Sequence, residues 1–122
     1  MAEAKFKIEI EVTVTEEQMS DIMVTALEGG INYWCGKVIV MDYKLQEGEY
    51  KSDVIGKGGV LKLYDAESDD TWDLTQEKLL NGIKKYMVEE GFVSMEELID
   101  NHDADVADKI VQYALFNEQV FA

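Results

Sequence analysis

Asn32, Tyr33 and Trp34 stand side by side in TALEGGINYWCGK, residues 25–37, and Lys57, Gly58 and Gly59 share the short run GKGG at 56–59. Aromatic rings stack on flat heterocycles, glycines let backbone amides approach an anion closely, and lysine supplies a point charge. Together these are the parts of a nucleotide-like pocket, and the six residues form the candidate ligand site. Local charge supports the grouping. Residues 32–62 hold Lys37, Lys44, Lys51, Lys57 and Lys62 against Asp42, Glu47, Glu49 and Asp53, a net of +1 in a chain of net −15. Each residue also has a plainer role open to it: Trp34 in the core, Gly29 and Gly30 as a helix stop, GKGG as a turn.

Other constellations carry less. Asp65, Glu67, Asp69 and Asp70 resemble the start of a calcium loop, but such a loop needs glycine sixth and glutamate twelfth, where this chain has Asp70 and Gln76. A solvated hairpin turn explains the run better. His102 lies among Asp100, Asp103 and Asp105 in an expected helix linker, a weak cation site at best. Cys35 is the only cysteine, so neither an internal disulfide nor a cysteine-based zinc cluster forms, and a buried, inert thiol is expected. Ser20, Ser52, Ser68 and Ser94 show no nucleophile elbow, and phosphate-loop and dinucleotide fingerprints are missing. Carboxylate pairs occur everywhere in so acidic a chain and single out no acid and base. No enzyme activity, catalytic residue, metal or cofactor is expected.

A chain of 122 residues, 47% apolar, fits one domain with one core, residues 1–122. Its 26 acidic residues face 11 lysines and no arginine. That balance repels nucleic acid and anionic membrane, attracts basic surfaces, and removes the bidentate arginine clamp for phosphate. With no long apolar run and an alternating start, MAEAKFKIEIEVTV, a cytoplasmic protein is expected.

The elements that must position these residues follow from pattern. FKIEIEVTV puts Phe6, Ile8, Ile10, Val12 and Val14 on one face of a half-exposed strand. Thr15 and Gln18 make a capping box for a helix with Met19, Ile22, Met23, Ala26 and Leu27 as its apolar stripe, ended by Gly29 in the left-handed conformation. KVIVMDYKL is apolar on both sides at its centre, which suggests an inner strand near 38–44. QEGEYKSDVIGKGG reads as a long excursion with a helical turn near 52–55, and VLKLYDA with TWDL as a hairpin joined by ESDD. Helices follow over 76–90, after the Ser94 and Glu97 capping box, and over DADVADKIVQYALF with Val106, Ile110, Val111, Ala114 and Leu115 buried. The expected fold is α+β, a mainly antiparallel sheet covered on one face by helices.

TALEGGINYW and DADVADKIVQYALFNEQVF, with GKGGVLKLYDAE and LTQEKLLNGI between them, resemble a group of small acidic phage and prophage proteins of unknown function, over roughly residues 12–121. The group tends to have glycine after ALF; Asn117 stands there and also tolerates the left-handed stop. The resemblance implies a phage accessory protein acting on the host or its defences. Two functions compete. The preferred one is sequestration of a small nucleotide-derived immune signal at the six-residue site. The alternative is an acidic nucleic-acid mimic that inhibits a basic host nuclease or CRISPR effector. Phe116, Val120 and Phe121 after the last helix also suggest a homo-oligomer.

Overall fold

The computed structural model describes residues 11–122. Thr15 caps the first helix as its sequence requires: its hydroxyl accepts the Gln18 N–H at 3.1 Å and its own N–H donates to Gln18 Oε1 at 2.9 Å. This helix, α1 (Glu16–Thr25), buries Met19, Ile22 and Met23 and runs into a π-helical turn, Ala26–Gly30. Strand β1 (Cys35–Met41), a 3-10 turn (Lys51–Asp53) and the hairpin β2 (Val60–Asp65) and β3 (Thr71–Leu74) follow. Helices α2 (Gln76–Glu90), α3 (Met95–Asn101) and α4 (Ala104–Phe116) complete the order, opened by Thr75, Ser94 and Asp103, each accepting a backbone N–H two or three residues into its helix. Gly91 and Asn117, both left-handed, stop α2 and α4.

The described residues thus form an α+β domain with a three-stranded antiparallel sheet of order β1-β2-β3. Leu61 pairs with Val40 and Leu74, and Leu63 with Val38 and Trp72, so one face of the sheet is apolar; Leu61, Leu63 and Leu74 are fully buried there. The other face carries Lys37, Ile39, Lys62 and Tyr64, with the Lys37 ammonium 5.3 Å from the Tyr64 ring centre. The core joins the buried sheet face to Ile22 and Met23 of α1, Leu79 and Ile83 of α2, Leu98 of α3, and Ile110 and Val111 of α4.

Three expectations change. Among the described residues β1 stands at the edge of the sheet and β2 is the central strand. The apolar residues of β1 on the open face, Ile39 and Met41, are half-buried and exposed, and Lys51 Nζ donates to the Val38 carbonyl at 2.8 Å, blunting the free edge. Gly29 is extended, with φ 177°, so the helix ends through a π turn and not through a left-handed glycine. Val12 and Val14 belong to no strand and pack on the core margin, while the rest of the expected N-terminal strand, residues 6–10, lies outside the described residues.

Helices α2 and α4 pack against each other, and Gly82 sets how closely. A Cβ there would lie 2.8 Å from the Ala114 nitrogen and 2.9 Å from its Cβ, and would press on the Ile110 carbonyl. Gly82→Ala is expected to cost about 1–3 kcal/mol by overpacking, read as a lowered denaturant midpoint at unchanged slope.

Candidate functional site

Gly30 is where the site begins. A Cβ on it would sit 2.8 Å from the Ala104 carbonyl oxygen and 3.5 Å from the Asp108 nitrogen, so only glycine lets the turn after α1 approach the first turns of α4 this closely. The next residues fold tightly, with the Trp34 and Cys35 N–H groups donating to the Ile31 carbonyl at 3.1 and 2.8 Å. Tyr33 and Trp34 are thereby delivered onto Asp108.

Asp108 is 5% exposed and its carboxylate accepts three hydrogen bonds. Trp34 Nε1 and Gln112 Nε2 each donate to Oδ1 at 2.8 Å, and the Tyr33 hydroxyl donates to Oδ2 at 2.5 Å. All three donors are neutral side chains, and hydrogen bonds to a carboxylate are of the strong kind. Without them a buried carboxylate would be costly. Burial first, then the bond to Asp108 and its charge, push the Tyr33 phenol up to about 12. Tyr33 nonetheless leaves half its surface in solvent.

Over this network lies an aromatic cluster. Trp34 meets Trp72 and Phe116 edge-on, at centroid distances of 5.7 and 6.0 Å, and is stacked by Phe121 at 5.0 Å with 4° between the planes. Gln112, fully buried, holds the chain that carries Phe121: its Oε1 accepts the Val120 and Phe121 N–H groups at 2.7 and 2.8 Å, and its Nε2 donates to the Phe121 carbonyl at 3.1 Å. Trp34, 3% exposed, is therefore a core residue covered by the chain's own Phe121.

The structure does not gather the six sequence-selected residues in one hollow. Asn32 is exposed beside Tyr33. Lys57, Gly58 and Gly59 lie at the start of α1: Gly58 is left-handed with φ 90°, and a Cβ on Gly59 would sit 2.5 Å from Tyr43 Cβ and 2.7 Å from Val54 Cγ1. Both glycines are explained by the turn and its packing. Lys57 Nζ bonds Glu16 Oε1 at 2.7 Å, which, with that carboxylate's charge, raises its ammonium above the ordinary value. A hollow of about 480 Å³ beside it is lined by Glu16, Glu17, Glu49 and Asp53, carboxylates that disfavour an anion. A second hollow, about 460 Å³, sets Tyr50, Lys51 and Ser52 against Val24, Leu27 and Val38. A third, about 630 Å³ and mostly apolar, lies between Val12, Val14 and the Leu80, Met87 and Val88 side of α2.

The remaining candidates have structural work. His102 Nδ1 lies 2.6 Å from the Ile99 carbonyl, which fixes the proton on that nitrogen, and Nε2 lies 2.9 Å from the Thr25 hydroxyl, tying the α3–α4 junction to α1. Asp65 Oδ1 accepts the Glu67 and Ser68 N–H groups at 2.7 and 3.2 Å, forming the hairpin turn. The Cys35 thiol is buried, and burial pushes its pKa up, away from the reactive thiolate. Among the described residues no group of side chains is placed to hold a metal, and no helix is long and apolar enough to cross a membrane.

Asp108 and Gln112 escaped the sequence reading. Their signal was there: polar residues at i and i+4, beside Ala107 and Val111 on the apolar stripe of α4. Searches of protein-family models, curated proteins and solved structures give no match to the chain.

Two outcomes follow from the network. Trp34→Ala removes a stacked core ring and one of the three donors to a buried carboxylate, and is expected to cost about 3–5 kcal/mol in denaturant unfolding; retention of near-wild-type stability would contradict the core assignment. Between pH 10 and about 12 the unfolded chain loses the Tyr33 proton while the folded chain keeps it, so stability falls as pH rises across that window. Tyr43 and Tyr86, also raised, act in the same direction, so Tyr33→Phe should flatten the alkaline slope without abolishing it.

Proposed function

We propose that the chain is a non-catalytic acidic protein that occupies the basic, nucleic-acid-binding groove of a partner. The observation that carries this reading is how few carboxylates are neutralised. Among the described residues two ion pairs form, Lys57 with Glu16 and Lys85 with Glu89. Exposed carboxylates stand on α1 at Glu17 and Asp21, on the β2–β3 turn at Glu67, Asp69 and Asp70, and at the α3–α4 junction at Asp100, Asp103 and Asp105. The Thr25–His102 contact holds that junction beside α1. A rigid display of unpaired carboxylates on a chain of net −15 favours fast association with a basic groove. In the phage setting that the resemblance implies, the partner is a host nuclease or CRISPR effector in the bacterial cytoplasm.

The electrostatic reading moves ahead of signal sequestration because the proposed pocket has lost its parts. Phe121 covers Trp34, Lys57 is held by Glu16, and Lys51 by the Val38 carbonyl. Sequestration of a nucleotide-like signal keeps one specific support, the hollow in which Tyr50 and Lys51 face apolar Val24, Leu27 and Val38, although Glu28 also lines it.

One experiment separates the two. The immobilised protein is incubated with lysate of defence-bearing bacteria, and retained material is challenged with duplex DNA and with about 1 M salt, where the Debye length falls to about 3 Å. The mimic predicts a basic nucleic-acid-binding protein displaced by both, and weaker retention by the Asp21→Lys, Asp100→Lys, Asp105→Lys triple variant. A nucleotide released on heat denaturation, lost in Tyr50→Ala, with no protein displaced by DNA, would overturn the mimic in favour of sequestration.

A further inference from the structure

The segment after α4 is bound to the rest of the molecule as a peptide is bound to a receptor. Its contacts are made by side chains of other elements: the stack of Phe121 on Trp34, the edge contacts of Phe121 with Trp72 and Phe116 at 6.1 and 5.9 Å, and the three bonds from the Gln112 amide to the Val120–Phe121 main chain. The Tyr33 hydroxyl lies a further 3.2 Å from the Phe121 carbonyl. None of these contacts depends on which copy of the chain supplies the segment.

The connection between α4 and this segment is short and turns through a single left-handed residue. Asn117, Glu118 and Gln119 are exposed, and Asn117 turns the chain back through a left-handed conformation, φ 59°. For a residue with a Cβ that conformation is unfavourable, though least so for asparagine. The Lys85 ammonium pins the turn by donating to the Asn117 carbonyl. If α4 simply continues through Asn117, the left-handed residue becomes helical and the segment projects away from its own slot. Short strained hinges of this kind favour exchange of an identical element between copies.

We propose that the slot formed by Trp34, Trp72, Phe116 and Gln112 also accepts Val120 and Phe121 of a second copy, giving a reciprocally exchanged dimer. Four residues, 118–121, carry the docked ring and span at most about 14 Å, so the two α4 ends must lie side by side. The net charge of −15 opposes that approach, and salt should therefore promote the dimer. The closed segment sees its own slot at an effective concentration of order millimolar, so exchange becomes visible at high protein concentration or when the home slot is damaged.

Complementation tests this with full chains. Phe121→Ala has an intact slot with no ring to fill it; Gln112→Ala has an intact Phe121 with no amide to hold it. Each alone should scatter light as a monomer, and an equimolar mixture at about 100 µM per chain, well below the closed segment's effective concentration, should give a heterodimer. Free peptide NEQVFA should dissolve the heterodimer, and NEQVAA should not. A mixture that remains monomeric overturns the proposal. Should circular dichroism show either variant unfolded, the wild-type chain decides: in about 1 M salt its mass should rise with concentration and fall again on addition of NEQVFA, and a constant monomer mass overturns the exchange.

Discussion

One buried carboxylate organises this protein. Asp108 sits inside α4 with no cation among its three donors, and Trp34, Tyr33 and Gln112 all point their hydrogens at it. Each donor then has a second task. Trp34 presents its ring to Trp72, Phe116 and Phe121; Gln112 grips the main chain after α4; Tyr33 closes the exposed side. Removing the carboxylate would leave the buried Trp34 indole N–H unmatched and take an acceptor from both Tyr33 and the Gln112 amide that grips the segment after α4, which is why the network couples elements far apart in sequence.

That coupling needs close backbone approach, and two glycines provide it on opposite flanks of α4. Gly30 admits the loop that carries Tyr33 and Trp34, and Gly82 admits α2. The sheet then needs cover on one face only, because Leu61, Leu63 and Leu74 point to the helices while the opposite face keeps Lys37, Lys62 and Tyr64. The acidic exterior is a separate layer of the design. It contributes little to holding the fold, since exposed ion pairs such as Lys57 with Glu16 are worth little in water.

Local signals are readable from the sequence: the Thr15 box, the Ser94 cap, the Asn117 stop, the β2–β3 hairpin and the span of α2 are all set by neighbours a few residues apart. What was not readable depends on residues about 75 apart meeting. The place of Asp108 and Gln112 on the apolar stripe of α4 marks them as unusual, but nothing near them in sequence tells what they bond until the 31–34 loop is placed against them, and Trp34 is both a large aromatic and a hydrogen-bond donor until its partner is known. The candidate ligand residues divide for the same reason: proximity in sequence and a shared near-neutral charge put Tyr33 and Lys57 in one segment, while in space Tyr33 bonds Asp108 and Lys57 bonds Glu16. Composition makes β1 look like an inner strand because Ile39 and Met41 are apolar, whereas among the described residues it pairs on one side only and no layer covers these two.

The chain has only two tryptophans, and both lie in the cluster under Phe121, 5.7 Å apart. Its intrinsic emission is therefore a gauge of a single corner of the molecule, set by whether one short segment is seated. Helical dichroism, by contrast, is dominated by α2 and α4. The two spectroscopic signals share one transition only if that corner melts with the helix pair, so their separation along a temperature ramp measures how far the end of the chain moves independently of the rest.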